Sequence, residues 1–159
     1  MPRFTYSSVV EAPVEVVFRL YEEPEALALL TPPWQPIQIV RREGGIQDGG
    51  VVELRLLFGP LKFKWVARHT GYEKNRQFSD EQVEGPFRHW VHRREFSAED
   101  GMTRVSDVID FSLPGGPLLD IWAAWLMRLQ LKRLFGYRHR VTKRVCERRY
   151  RELAAKGAL

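Results

Sequence analysis

The chain has 159 residues, of which 44% are hydrophobic and 28% charged, with a formal net charge of +5. These values predict one globular domain over residues 1–159 and exclude a disordered or low-complexity protein. The longest apolar run, Ile121–Met127, is too short to span a membrane, and the amino terminus has no hydrophobic signal core. Because Cys146 is the single cysteine, an internal disulfide is excluded, and we expect a cytoplasmic protein.

The first predicted element is a strand at Arg3–Glu11, which alternates and is rich in β-forming residues. A helix begins at Pro13, since proline suits a first helical turn, and a second short helix covers Pro24–Leu30. Six strand candidates follow, separated by Gly, Pro, Asn and Asp turn residues: Gln35–Arg42, Gly50–Phe58, Leu61–Tyr72, Asn75–Val83, Phe87–Ser97 and Thr103–Leu113.

Everything from residue 117 to 155 has a helical pattern, but its apolar stripe changes phase. One face holds Leu119, Trp122, Leu126 and Leu129, and a second holds Leu131, Leu134, Phe135, Arg138, Val141 and Val145. A straight rod of this length would also be long for a small domain. We therefore predict a break between Arg128 and Leu131. The order of elements predicts an α+β fold, in which the terminal helix covers one face of a seven-stranded antiparallel sheet.

Positive charge is concentrated in the terminal helix. Residues 128–151 hold ten of the 25 basic residues and one of the 20 acidic ones, which leaves 15 basic and 19 acidic residues elsewhere. A basic face of this kind is either solvated or a surface for an anionic membrane or nucleic acid. No aromatic platform accompanies the basic residues in the sequence pattern. We therefore favour the solvated face, do not expect nucleic-acid binding, and keep transient contact with an anionic membrane as the alternative.

Charged residues lie on the face of the sheet that is predicted to be inside. Asp80, His92, Arg94 and Asp107 share that face with Phe78, Trp90, Phe96, Ile109 and Phe111. A four-residue loop at residues 98–101 would place His92 opposite Asp107, with Arg94 diagonal to the same carboxylate. Because an isolated buried charge is costly, this face predicts a closed ion-pair network or a wall that receives a polar group.

The same segment resembles a known family. Phe78-x-Asp80-x-Gln82-x-x-Gly85-Pro86-Phe87-x-x-Trp90-x-His92, then Thr103-x-Val105-x-Asp107 and Pro114-x-Gly116, is similar to the bacterial ligand-binding branch of the START-like (SRPBCC) superfamily. Leu30–Trp34 and Phe135–His139 extend the match. The resemblance implies a helix-grip fold, a curved seven-stranded sheet around a long carboxyl-terminal helix, with two short helices between the first two strands. It also implies a cavity for a hydrophobic molecule such as a lipid or polyketide. Arg94 departs from the His-x-His that relatives often carry.

Three interpretations of the charged face stay open: a structural network, a binding site for the polar end of a ligand, or an acid–base pair. In the second, Arg138 on the inward stripe of the terminal helix would clamp a carboxylate. In the third, Asp107 orients His92 for a cyclisation or dehydration. The candidate ligand-binding residues are Trp34, Phe63, Trp65, Phe78, Asp80, Gln82, Trp90, His92, Arg94, Asp107, Ile109, Phe111, Phe135 and Arg138.

No cofactor or metal is predicted. His89 and His92 are three residues apart on one strand, so their side chains point to opposite faces. The glycine pairs lack the lysine and helix context of a phosphate-binding loop. The expected partner is a hydrophobic small molecule, and no oligomeric state is inferred from these residues.

Overall fold

The computed structural model describes residues 1–157, apart from the side chain of Phe58. Its elements are β1 Arg3–Val10, α1 Val14–Glu22, α2 Ala26–Leu29, β2 Ile37–Glu43, β3 Val51–Phe58, β4 Leu61–Glu73, β5 Gln77–Glu84, β6 His89–Glu99, β7 Met102–Ser112 and α3 Pro117–Ala155. The predicted order of elements and the α+β class are confirmed. Within residues 1–157, no helix is long and apolar enough to cross a membrane.

The strands form one curved antiparallel sheet in the order β1-β7-β6-β5-β4-β3-β2. The segment from α1 to α2 carries the chain from one edge of the sheet to the other, while every later strand pairs with its predecessor. The long helix α3 packs mainly against β1 and α1. Its packed side therefore lies over one half of the concave face and leaves the β2–β4 half less covered.

The predicted register between β6 and β7 is wrong by two residues. The turn contains only Asp100 and Gly101, both at positive φ (51° and 79°), so Glu99 pairs with Met102. An Asp-Gly pair favours this two-residue turn because both of its residues must adopt left-handed backbone. As a result Arg94, and not His92, lies directly opposite Asp107. A shift of two residues leaves every side chain on its predicted face, so the inward set is unchanged.

The predicted break in the terminal helix is also wrong, because α3 is one continuous helix of 39 residues. Ala124 is buried and continues the core stripe of Leu131 and Phe135 towards the amino-terminal end of α3. The change of phase in the sequence therefore marks a change in exposure. Leu119, Trp122, Leu126 and Leu129, which define the first stripe, are all exposed.

The core consists of two apolar clusters beneath the helices. The first cluster joins Phe18 and Tyr21 of α1 to Phe78 and Phe96 on the sheet. The second joins α3 to β1 and β7, and its buried members are Phe4, Ile109, Phe111, Ala124, Leu131 and Phe135. Cys146 is fully buried in the first cluster, and this burial raises the pKa of its thiol to about 12. The charged residues of the concave face lie between these two clusters, with Arg94 stacked on Tyr21.

Candidate functional site

The carboxylate of Asp107 is the centre of a buried polar network. Asp107 has no exposed surface, yet it accepts hydrogen bonds from three side chains. Nε2 of His92 and Nε of Arg94 each lie 2.6 Å from Oδ1 of Asp107, and Nε2 of His139 lies 2.5 Å from its Oδ2. β7 supplies the acid, β6 supplies His92 and Arg94, and α3 supplies His139. Charge-assisted bonds of this kind offset the cost of removing a carboxylate from water.

The network continues beyond Asp107 through the second nitrogen of each histidine. Nδ1 of His92 donates to a carboxylate oxygen of Asp80 at 3.0 Å, across the direct β5–β6 pair. Nδ1 of His139 lies 2.5 Å from the hydroxyl of Ser8 on β1. Both ring nitrogens of His92 are therefore bonded to carboxylates. We refer to Asp80, His92, Arg94, Asp107 and His139 together as the buried network.

The pKa values in this network move in the direction of charge pairing. Burial alone would raise the pKa of Asp107, but Arg94, His139 and His92 outweigh it and hold this pKa well below its usual range. Burial would likewise lower the pKa of His92, but the carboxylates of Asp80 and Asp107 raise it above the ordinary value. Burial would raise the pKa of Asp80, but His92, with His69 and Arg138, together outweigh it and lower this pKa. His92 is thus favoured as an imidazolium between two carboxylates.

Two arginines beside the network have polar atoms without partners. Among the described residues, the buried Nη2 of Arg94 and the buried Nε of Arg138 have no hydrogen-bond acceptor. The guanidinium of Arg138 lies 5.2 Å from the ring centre of Phe135. Burial and, next, repulsion from Arg94 lower the pKa of Arg138 to about 10. A buried donor without an acceptor is costly, so this place favours a molecule that brings acceptor atoms.

An aromatic wall lies on the same concave face of the sheet. Trp65 and Trp90 lie 5.1 Å apart between ring centres, and Phe87 lies 4.9 Å from Trp90. The side chain of Gln82 holds the turn before β6 by bonding both the carbonyl and the amide of Phe87. Trp90 and Phe87 pack against the second apolar cluster, as do Met127 and Leu134 of α3. This wall extends the concave surface from the network towards β4.

The less covered part of the concave face is apolar, and we call it the groove. It consists of Ile39, Leu56, Phe63 and Trp65 on β2–β4, which the strand register places on one face. Ile39 and Phe63 are exposed, Phe63 by 39%, although both carry large apolar side chains. The groove therefore presents apolar surface on the same face of the sheet as Arg94. Such a combination suits an apolar ligand with a polar end.

The structure divides the predicted ligand-binding residues into three groups. Asp80, His92, Arg94 and Asp107 meet in the buried network, and Arg138 lies beside it. Trp34, Phe63, Trp65, Gln82 and Trp90 are partly or largely exposed. The four remaining residues are buried in the apolar clusters: Phe78, Ile109, Phe111 and Phe135. Ligand contact by any of these residues stays a prediction.

Sequence reasoning missed His139 and Ser8 as members of the site. His139 lies four residues after Phe135, which was placed on the inward stripe, so helical spacing was a signal for it. Ser8 carried no comparable signal, because short polar side chains are common on an edge strand. Since His139 bonds Asp107, it ties α3 directly to the sheet.

Two surface cavities of the described structure lie away from this network. One of about 360 Å³ is lined by α1 and the end of α3, including Arg19 and Arg149. The other, of about 410 Å³, lies between Pro2 and the start of α3 near Ile121. Within residues 1–157, no group of three His, Cys, Asp or Glu side chains is arranged to hold a metal ion.

Comparisons with known proteins agree with this architecture. Residues 10–135 match the model of the family described as polyketide cyclase / dehydrase and lipid transport. The Zhui aromatase/cyclase of Streptomyces is 19% identical, with a TM-score of 0.72 over 92% of this chain and 94% of that chain. A Thermus thermophilus protein is 18% identical, with a TM-score of 0.70 over 91% of this chain and 97% of that chain. At these identities the likeness is one of fold.

A nucleoside-diphosphate sugar epimerase from Corynebacterium glutamicum is more similar in sequence, at 27% identity with a TM-score of 0.70. The match covers 89% of this chain but only 28% of that protein. The likeness therefore concerns one part of the epimerase chain. No curated protein matches the sequence significantly.

Proposed function

Because the chain belongs to the polyketide cyclase / dehydrase and lipid transport family, we propose that it binds a hydrophobic small molecule with an acidic or acceptor-bearing end. The apolar body lies in the groove and along the wall of Trp65 and Trp90. The polar end reaches Arg138 and the free Nη2 of Arg94. Lipids and polyketide-like compounds have this combination of parts.

The observation that carries this proposal is the buried Nε of Arg138. Among the described residues this nitrogen has no hydrogen-bond acceptor. Nearby, the two carboxylates of Asp80 and Asp107 face three cationic groups, those of His92, Arg94 and Arg138. The site therefore has an excess of positive charge, which an anionic ligand group would neutralise.

Acid–base catalysis by His92 and Asp107 is the alternative, and it has a geometric difficulty. A general base needs a free nitrogen, whereas both nitrogens of His92 donate to carboxylates. Asp107 has its pKa well below the usual range and no exposed surface. The network is thus better suited to hold the cavity wall and set its charge. Catalysis by this pair would require that His92→Gln keep ligand binding and lose turnover of a cyclisable substrate.

The proposal is tested in two steps with the full chain. Native mass spectrometry of the purified protein identifies any co-purified small molecule. Calorimetry then compares dodecanoate with dodecanol, which share an apolar body and differ in the charged end. We expect tighter binding of dodecanoate, and we expect Arg138→Met to remove about 10- to 100-fold of that preference, the usual worth of a hydrogen bond to a charged group.

Arg140→Met is the matched control, because Arg140 lies on the same helix but is exposed. It should bind both compounds like the unmodified protein. Equal affinity of the unmodified protein for the acid and the alcohol would contradict the role of Arg138. The absence of any bound apolar molecule in both experiments would contradict the proposed function as a whole.

A further inference from the structure

The first three turns of α3 carry large apolar side chains that face away from the protein. Trp122 is 81% exposed and Trp125 68%, and Leu118 and Ile121 are more than two-thirds exposed as well. Leu118, Trp122, Trp125 and Leu129 are spaced by four, three and four residues, so they form one stripe along the helix. We call Leu118, Ile121, Trp122, Trp125, Leu126 and Leu129 the apolar end. Exposed apolar surface of this kind marks an interaction site.

The same face of α3 becomes basic one turn later. Lys132 and Arg133 follow Leu129 at the next helical positions, and Arg140, Lys143 and Arg144 continue along the same side. All five are exposed. A stripe that begins with Trp and Leu and continues with Lys and Arg is typical of a helix that contacts a lipid surface.

The strand register places the β3–β4 hairpin at the same end of the molecule. β7 ends at Ser112, just before α3 begins. Because neighbouring strands are antiparallel, the start of β6, the end of β5 and the start of β4 lie at this same end of the sheet. There Leu61 is 59% exposed, and the exposed Lys62 and Lys64 alternate with Leu61 and Phe63. Apolar and basic side chains thus occur together on two separate elements at one end.

Two acidic groups at this end are already engaged. Glu84 lies 3.3 Å from the ammonium group of Lys64, and Asp120 accepts a hydrogen bond from the amide of Leu113. We propose that the apolar end docks on an anionic membrane surface. Its Trp and Leu side chains enter the interface, while Lys132, Arg133 and Lys62 contact lipid phosphates.

The charges favour a lipid surface over a second copy of this chain. Parallel pairing of two apolar ends would bring the Lys132–Arg133 segments of both copies together, and like charges oppose such contact. Antiparallel pairing would separate these segments but would supply no anionic surface to meet them. An anionic bilayer complements the same charges. Exposed tryptophans next to the basic stripe also supply the aromatic contact surface that the sequence pattern did not reveal. This inference concerns a surface outside the proposed ligand site, and its test requires no ligand.

The test is co-sedimentation of the full chain with vesicles of phosphatidylcholine alone or with about 30% phosphatidylglycerol, near physiological salt of about 0.15 M. We expect binding to the anionic vesicles only. Trp122→Ser with Trp125→Ser should lower the partition coefficient by at least about 10-fold. Lys132→Gln with Arg133→Gln should lower it by about 5-fold per residue.

The matched control is Arg148→Gln with Arg151→Gln, which removes the same charge from exposed positions near the other end of α3. It should change the partition coefficient much less than the Lys132 and Arg133 changes. Arg138→Met should bind vesicles normally, which separates this proposal from the ligand site. The tryptophan variant should keep the melting temperature of the unmodified protein, because neither side chain is packed.

Three results would overturn the proposal. The first is equal sedimentation with neutral and anionic vesicles, or none with either. The second is anionic binding that the tryptophan variant retains in full, since a purely electrostatic attraction does not use the apolar end. The third is a dimer in lipid-free sedimentation velocity that the tryptophan variant converts to monomer, since the apolar end would then be an interface between copies.

Discussion

The two parts of α3, residues 117–129 and 130–155, both carry large apolar side chains but have opposite surroundings. In the carboxyl-terminal half, Leu131, Phe135, Val141 and Val145 are buried against the sheet and α1. In the amino-terminal half, Ala124 is the one apolar residue that the core buries among the described positions 117–129. Burial along a helix therefore depends on what lies beneath it. The carboxyl-terminal part anchors α3 to the domain, and the amino-terminal part is the surface proposed to contact a membrane.

The carboxyl-terminal part of α3 is held to the sheet by polar as well as apolar contacts. A mutation in the buried network should therefore lower the stability of the domain. Asp107→Asn should give the largest effect, a loss of about 3–5 kcal/mol in the free energy of unfolding. It removes the counterion of Arg94 and replaces one of the two oxygens that His92 and His139 bond with an amide donor. Urea unfolding measures the change. Asp110→Asn, on the outer face of the same strand, is the control and should lose much less. Similar losses in both variants would mean that the buried network does not anchor α3.

Two leucines, one in each part of α3, test the difference in burial with the side-chain type held constant. Leu131→Ala should lower the free energy of unfolding by about 2–4 kcal/mol, since Leu131 is buried and its removal leaves a cavity. Leu126→Ala, one and a half turns earlier and exposed, should stay within about 0.5 kcal/mol. Thermal or urea unfolding of the two variants measures both changes in the free energy of unfolding. A large loss for Leu126→Ala would show that the amino-terminal half is packed after all.

The smallest expected effect is a change in pH dependence. The raised pKa of His92 means that its proton stabilises the folded state fully below the ordinary histidine value of about 6.5, and that this stabilisation is lost as pH rises through the folded-state pKa. The free energy of unfolding of His92→Gln should therefore lie furthest below that of the unmodified protein near pH 6. The difference should narrow as pH rises.

His89→Gln, on the outer face of the same strand, is the control for this pH experiment. It should follow the unmodified protein across the range. If the gap between His92→Gln and the unmodified protein widened with rising pH, the direction of the His92 shift would be contradicted.

Much of the fold followed from local patterns, and the inward charged face followed from alternation alone. Asp80, His92, Arg94 and Asp107 were placed correctly on one face even though the β6–β7 register was wrong by two residues. An even shift moves residues along a strand without turning them over. The Asp100-Gly101 pair was visible in the sequence, but residue spacing alone did not distinguish a two-residue turn from a four-residue loop.

Tertiary context explains the features that were not predicted. The apolar stripe of Leu119 and Trp122 suggested a separate helix, because sequence patterns record side-chain type and not what lies opposite. To predict which residue of α3 contacts Asp107, one must know the angle at which the helix packs on the sheet. Residue spacing within the helix does not define this angle. His139 was therefore missed, although Phe135 on the same face was correctly expected to point inwards.

The burial of Cys146 has a practical consequence for labelling. Its thiol is fully enclosed, and its raised pKa of about 12 leaves little reactive thiolate near neutral pH. A cysteine introduced on the surface, for example Trp125→Cys or Leu61→Cys, should then be the preferred target for a maleimide dye without removal of the native residue. Environment-sensitive probes at these two positions would show whether the start of α3 and the β3–β4 hairpin enter a bilayer together.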